Sequence, residues 1–154
     1  MDLTRFEKFD KACAENLAGT IDEVLKSGKK IRAIGFITTD DFYGFYLAWD
    51  FNKKNLYKNY NWKKSLNPEF LYQPLVDIVD SAKDIDLLRA SDEKWGFAEA
   101  LMTVLAKNIK QIPDEIFTKN KYKRDDIQFF AAMSDGDYVE EMIDASLKMF
   151  NGTN

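Results

Sequence analysis

Phe6, Phe9, Cys13, Leu17, Ile21, Val24 and Leu25 recur at steps of three and four, so residues 4–27 read as an amphipathic helix with one apolar stripe turned inward. Gly28 suits its end, because glycine takes the left-handed C′ conformation without a Cβ clash. From Ile31 to Thr39 the pattern becomes apolar on both sides. Ile31, Ala33, Gly35 and Ile37 share one side and Ile34 and Phe36 the other, which predicts a central strand. Thr38-Thr39-Asp40-Asp41 is a turn signal, since Thr and Asp side chains bond nearby backbone amides. Phe42 to Phe51 then reads as a second strand, paired with the first in an antiparallel hairpin. Residues 51–67 carry five lysines and no acid among several asparagines, and read as a loop with at most one short helical turn.

Asn67-Pro68-Glu69 has the form of an N-cap followed by proline at the first helical position. Pro74 restarts that helix, and Leu75, Ile78, Val79, Ala82, Ile85 and Leu88 carry its stripe to about Arg89. Ser91-Asp92 caps another helix, in which Phe97, Leu101, Val104, Leu105, Ile109 and Ile112 keep helical spacing until Pro113 stops it. A short turn from Asp114 to Phe117 leads into a second basic stretch. Ile127 to Met133, with its aromatics, predicts the last strand. Ser134-Asp135-Gly136-Asp137 caps a final helix bearing Val139, Met142, Ile143, Ser146, Met149 and Phe150, with Gly152 at its end. The expected fold is a single α+β domain over residues 1–154. A small, mainly antiparallel sheet of three or more strands is packed by an N-terminal helix, two middle helices and a C-terminal helix. The first helix is expected to cover one face of the sheet and the 68–89 helix the other.

Composition narrows the chemistry. The 154 residues are 45% apolar and 14% aromatic, enough for a sizeable core. Histidine is absent and Cys13 is the single cysteine. That excludes imidazole and paired-thiolate metal sites, disulfides within the chain and every histidine-based triad. Cys13 lies on the apolar stripe and reads as a small buried hydrophobe. The seven glycines are dispersed, so no phosphate-cradling loop is present. No run of 18 apolar residues occurs, which excludes a membrane-spanning helix, and no membrane partner is expected. The first residues alternate in charge where an export signal would be apolar, and the cytoplasm is the expected location. No cofactor is expected and no metal ligands are assigned.

Three carboxylate pairs remain: Asp40-Asp41 in the hairpin turn, Asp125-Asp126 before the last strand, and Asp135 with Asp137 after it. Capping and helix-dipole interactions account for Asp at such places, although hard cations also favour oxygen ligands there. A denser feature is aromatic, since 11 of the 22 aromatic residues fall within 42–72. Tyr43, Phe45, Leu47 and Trp49 share one side of the second strand and Phe42, Gly44, Tyr46 and Ala48 the other, so both sides need covering. Tyr and Trp left open would favour a binding surface. Charge is segregated as well. Segments 51–68 and 117–124 hold nine of the 22 basic residues and no acid, so 13 basic residues face all 26 acids elsewhere. Lysines among Tyr57, Tyr60 and Trp62 suggest a single-strand nucleic-acid binder as one alternative, but the acidic balance makes nucleic acid the lesser partner.

Ile34-Gly35-Phe36-Ile37-Thr38-Thr39-Asp40-Asp41, Tyr60-Asn61-Trp62 followed by Glu69-Phe70-Leu71-Tyr72, and Asp125 to Asp135 together resemble a bacterial family, domain of unknown function 4303. The family pattern has Arg-Trp where this chain has Asn61-Trp62, and Glu-Trp where it has Glu69-Phe70, so no role of that arginine carries over. The resemblance implies no established enzyme activity. It implies a likeness to the immunity proteins that protect bacteria from polymorphic or type VII-secreted toxins. The expected function is therefore a non-enzymatic cytoplasmic binding protein that occludes the active site of a cognate toxin domain, its protein partner. Tyr43, Tyr46, Trp49 and Trp62 are the expected partner-binding anchors, with Asp40, Asp41, Asp135 and Asp137 as an acidic rim. A divalent-cation-dependent enzyme using the aspartates at the sheet end, or single-strand binding through residues 51–64, are the alternatives.

Overall fold

The structure is a computed structural model describing residues 3–27, 30–50 and 62–151; residues 51–61, Gly28 and Gly152 lie outside the described residues. The protein is α+β, as the sequence predicts. A short 3-10 turn (Leu3–Phe6) leads into α1 (Glu7–Ser27). Then follow β1 (Ala33–Thr38), β2 (Phe45–Trp49) and β3 (Lys64–Leu66), helices α2 (Gln73–Ser81), α3 (Asp92–Lys110) and the short α4 (Asp114–Thr118), β4 (Gln128–Met133) and α5 (Val139–Asn151).

The strand order is β3-β2-β1-β4. β1 and β2 form the expected antiparallel hairpin, with Phe36 opposite Leu47, and β3 continues it antiparallel with Leu47 opposite Leu66. β4 returns parallel to β1, placing Phe36 beside Ala131, so the sheet is mixed with two antiparallel ladders and one parallel ladder. The parallel return follows from the three intervening helices, which bring the chain back to the end where β1 begins. β1 is buried at all six positions, as a central strand should be.

Several boundaries differ from the sequence pattern for identifiable reasons. β2 is shorter than 42–51 because left-handed residues bracket it, Phe42 (φ 61°) and Gly44 (φ 99°) before it and Asp50 (φ 64°) after it. The stretch expected as loop contains β3. Three residues carry little local signal, and pairing with β2 decides their conformation. The helix expected over 68–89 is divided. A 3-10 turn (Glu69–Leu71) precedes α2, which ends at Ser81 because the backbone turns at Ala82 (φ −80°, ψ 68°). Beyond it Asp84 is held by the distant Arg5 at 2.6 Å, and the Asp86 carboxylate accepts from the Leu88 amide, a local bond that competes with helix. Leu88, counted in the stripe, is 77% exposed. The expected turn at Asp114 is the single-turn helix α4, entered from Pro113.

The two sheet faces are covered differently from the expectation. Ile34, Phe36, Phe45, Leu47, Trp49, Phe129, Ala131 and Met133 join the main core, which α1, α3 and α2 all cover through residues such as Phe9, Leu101 and Leu75. The second face is smaller: Ala33, Ile37, Ala48, Phe130 and Ala132, packed by Tyr46, Trp62, Ile143 and Leu147. α2 is therefore on the first face, and α5 supplies the described helical cover of the second. The Phe130 ring lies over Gly35, where an added Cβ would come within 2.5 Å of it.

α5 also closes the sheet. It lies beside the outer edge of β4, with Met142 and Phe150 in the main core and Ile143 and Leu147 on the second face. Between them, Ser146 Oγ accepts from the Ala131 amide (2.8 Å) and lies 3.1 Å from the Ala131 carbonyl. Asn151 accepts from the Phe129 amide (2.8 Å) and donates to the Phe129 carbonyl (2.7 Å). Two side chains thus take the place of a neighbouring strand and satisfy backbone groups that would invite edge-to-edge pairing.

Candidate functional site

Because β1 and β4 run parallel, their C-terminal ends lie together, and the loops that follow carry Asp40 and Asp41 in one case and Asp135 and Asp137 in the other. Such an end is where open α/β sheets place ligands. The two loops converge on a side chain from a third element, Lys94, in the first turn of α3. Its side chain is fully buried, and its Nζ lies 2.7 Å from Asp40 Oδ1 and 3.3 Å from Asp137 Oδ2, while the Asp137 amide also donates to Asp40 Oδ1 (3.3 Å).

The arrangement is electrostatically demanding. An ammonium near a helix N-terminus opposes the helix dipole, and burial removes its water. Two carboxylates from separate loops compensate, so both loops are tied to α3. Local geometry supports the clasp. Ser91 caps α3 by accepting from the Lys94 amide (3.1 Å), and the Tyr138 hydroxyl donates to the Ser91 carbonyl (3.1 Å). Gly136 has φ 98°, and a Cβ there would fall 1.9 Å from Asp40 Oδ1, so neither the backbone nor the space admits a side chain.

Asp41 accepts from Thr39 Oγ1 at 2.5 Å, and Thr39 Oγ1 in turn accepts from the Tyr43 amide at 3.0 Å, forming a tight polar turn. Tyr43 projects from it, 36% exposed, and its hydroxyl donates to Asp80 of α2 at 2.6 Å. That bond to a carboxylate, with lesser contributions from desolvation and nearby charge, raises the Tyr43 hydroxyl pKa above its ordinary value. Asp135 is exposed beside the clasp.

The expected anchors do not form one patch. Tyr43 is at the acidic end. Trp49 is 6% exposed in the main core, so its ring offers a partner almost no surface, and its indole Nε1 has no hydrogen-bond acceptor among the described residues. Tyr46 is half-buried on the opposite sheet face, edge-on to Trp62 with centroids 5.6 Å apart, and burial raises its hydroxyl pKa. The residues brought together are Asp40, Asp41, Tyr43, Asp135 and Asp137. Lys94 joins them although the sequence pattern did not single it out. The signal was present, because Lys94 stands three and four residues before Phe97 and Ala98 and so falls in phase with the buried stripe of α3.

Asp125 and Asp126 lie at the other end of the sheet in a 3-10 turn, where Asp126 accepts from the Lys123 amide at 2.7 Å. Lys63, Lys64 and Arg32 are at that same end, opposite the acidic clasp. The nucleic-acid alternative rests largely on residues 51–61, outside the described residues. Among the described residues, no group of three or more Asp, Glu, Cys or His side chains converges to hold a metal ion. Between Asp40 and Asp137 the cation is the Lys94 ammonium itself. No helix among the described residues is long and apolar enough to cross a membrane. Compared with known proteins, the chain matches no family model, no curated protein and no solved structure.

Proposed function

We propose that this protein is a non-enzymatic binding protein, an immunity protein that neutralises a cognate bacterial toxin by covering the toxin's active site. The observation that carries the reading is the acidic end of the sheet, where the Asp40-Asp41 and Asp135–Asp137 loops meet at Lys94 and the exposed Tyr43, bonded to Asp80, follows directly after the first loop. Its two loops are held by a buried lysine and present their carboxylates in a fixed arrangement. A rigid surface loses little conformational entropy on docking, and an aromatic within an acidic rim suits a basic partner. Nucleases and nucleotide-consuming toxins carry basic clefts for phosphate, so a carboxylate surface both speeds the encounter and competes for the cleft. The motif resemblance in the hairpin and in residues 125–135 supports the same reading.

Co-expression with the toxin encoded by the adjacent gene tests it. Growth is expected to be rescued, and the two proteins are expected to elute together on gel filtration. Loss of rescue with Asp41→Lys combined with Asp135→Lys, at unchanged thermal stability, assigns the effect to the acidic end. Toxicity that persists in the presence of the unaltered, folded protein contradicts the proposal.

A further inference from the structure

A groove of about 580 Å³ runs between α1 and the start of α2, lined by Lys8, Ala12 and Asn16 on one side and Phe70, Pro74 and Asp77 on the other. Ala12, Phe70 and Pro74 provide apolar surface, while Asp77, together with Glu69 at the margin, outnumbers the one lysine. Gln73, Asp77 and Asp80 are spaced by four and three residues and so share one exposed face of α2. Asp80, on that same face one turn beyond the groove's lining, accepts the Tyr43 hydroxyl at 2.6 Å. Tyr72, 40% exposed, lies against Gly44, where a Cβ would meet its ring at 2.5 Å. Two exposed tyrosines and an apolar trough thus adjoin a line of carboxylates.

We infer that this groove is a second docking site, one that takes a basic segment of a partner protein in which an apolar side chain is flanked by arginine or lysine. The inference rests on the binding-protein reading and specifies which part of the toxin is held besides its active site. The apolar residue enters between Ala12, Phe70 and Pro74. The flanking cations meet Asp77 and Asp80, where the rings of Tyr43 and Tyr72 add cation–π attraction. Charge selects the occupant, because an acidic segment of the same shape would face Glu69, Asp77 and Asp80.

The test follows amide shifts of the isotope-labelled protein during titration with a short peptide of alternating arginine and leucine, with alternating glutamate and leucine as comparison. Shifts are expected at Ala12, Asn16, Gln73 and Asp77 with the arginine peptide alone. Asp77→Lys is expected to weaken binding by about tenfold, and Ala12→Trp, which fills the trough, to abolish it. Either variant suffices, provided its thermal transition matches the parent. No shifts, shifts confined to the Asp41 and Asp135 loops, or equal binding of both peptides would overturn the inference. The toxin assay separates the two levels. Rescue by the parent that survives both groove variants removes the groove alone, whereas peptide binding in the groove without rescue removes the toxin reading alone.

Discussion

Replacing Lys94 by Met keeps most of the aliphatic stem packed and deletes only the ammonium that holds two loops to α3. Asp40 and Asp137 then face each other without a cation, on side chains 33% and 41% exposed. Removing one partner of a fully buried pair typically costs about 3–5 kcal/mol. Here both carboxylates reach water and rehydrate, which lowers the expected loss to about 1–3 kcal/mol. For a chain of 154 residues that corresponds to a fall in Tm of about 3–10 °C. Urea denaturation of the parent, Lys94→Met, Asp40→Asn and the double variant gives the coupling directly. The double variant should lose less than the two single changes together, because a carboxylate without its cation is no longer left behind. Asp40→Asn should cost more than Asp137→Asn, since Asp40 makes the 2.7 Å contact and also accepts from the Asp137 amide. A Lys94→Met stability within about 0.5 kcal/mol of the parent, or strict additivity in the cycle, would refute the clasp.

Ser146→Ala leaves the Ala131 amide and carbonyl without their side-chain partner and should cost about 1–3 kcal/mol by urea denaturation, with a rise in aggregation as the β4 edge opens; a loss near zero would contradict the edge-closing role of α5. Asp22 accepts from Asn120 and Lys26 and pairs with Lys119, contacts that lower its carboxyl pKa from 3.8 to about 2, the Asn120 bond contributing most. A lowered folded-state pKa stabilises above 3.8 and loses that contribution as pH falls towards 2, so Asp22→Asn should flatten the acid limb of the stability curve in that window; an unchanged limb would contradict it. Burial, with a smaller contribution from Asp10, pushes the Cys13 thiol up to about 12, so a thiol reagent at neutral pH should label it only as fast as the protein unfolds.

Much of the architecture was legible because periodicity reports burial. Phe9 to Leu25 and Phe97 to Ile109 repeat at helical spacing over many turns, and both are helices with those residues in the core. The two-sided apolar pattern read from Ile31 to Thr39 marked β1, Ala33–Thr38, as central for the same reason. What escaped the pattern depended on partners distant in sequence. β3 exists because β2 offers it a ladder, and the direction of β4 is set by the path of three helices. The 82–90 stretch keeps apolar residues at helical steps, yet Asp84 is drawn to Arg5 across 79 positions. At the site, Asp40, Asp41, Asp135 and Asp137 were visible as turn and cap residues, and the parallel pairing of β1 with β4 brings them together. Trp49 illustrates the opposite limit: strand alternation puts it on one side of β2 but does not say which side the helices cover.

Hydrogen exchange of the protein in complex with the adjacent-gene toxin tests the central claim most directly, because it reads both binding and place. The account predicts slowed exchange in residues 39–43 and 134–138, the loops fastened by Lys94. Absence of a complex, or protection confined to the Lys63 and Arg124 end of the molecule, would contradict it.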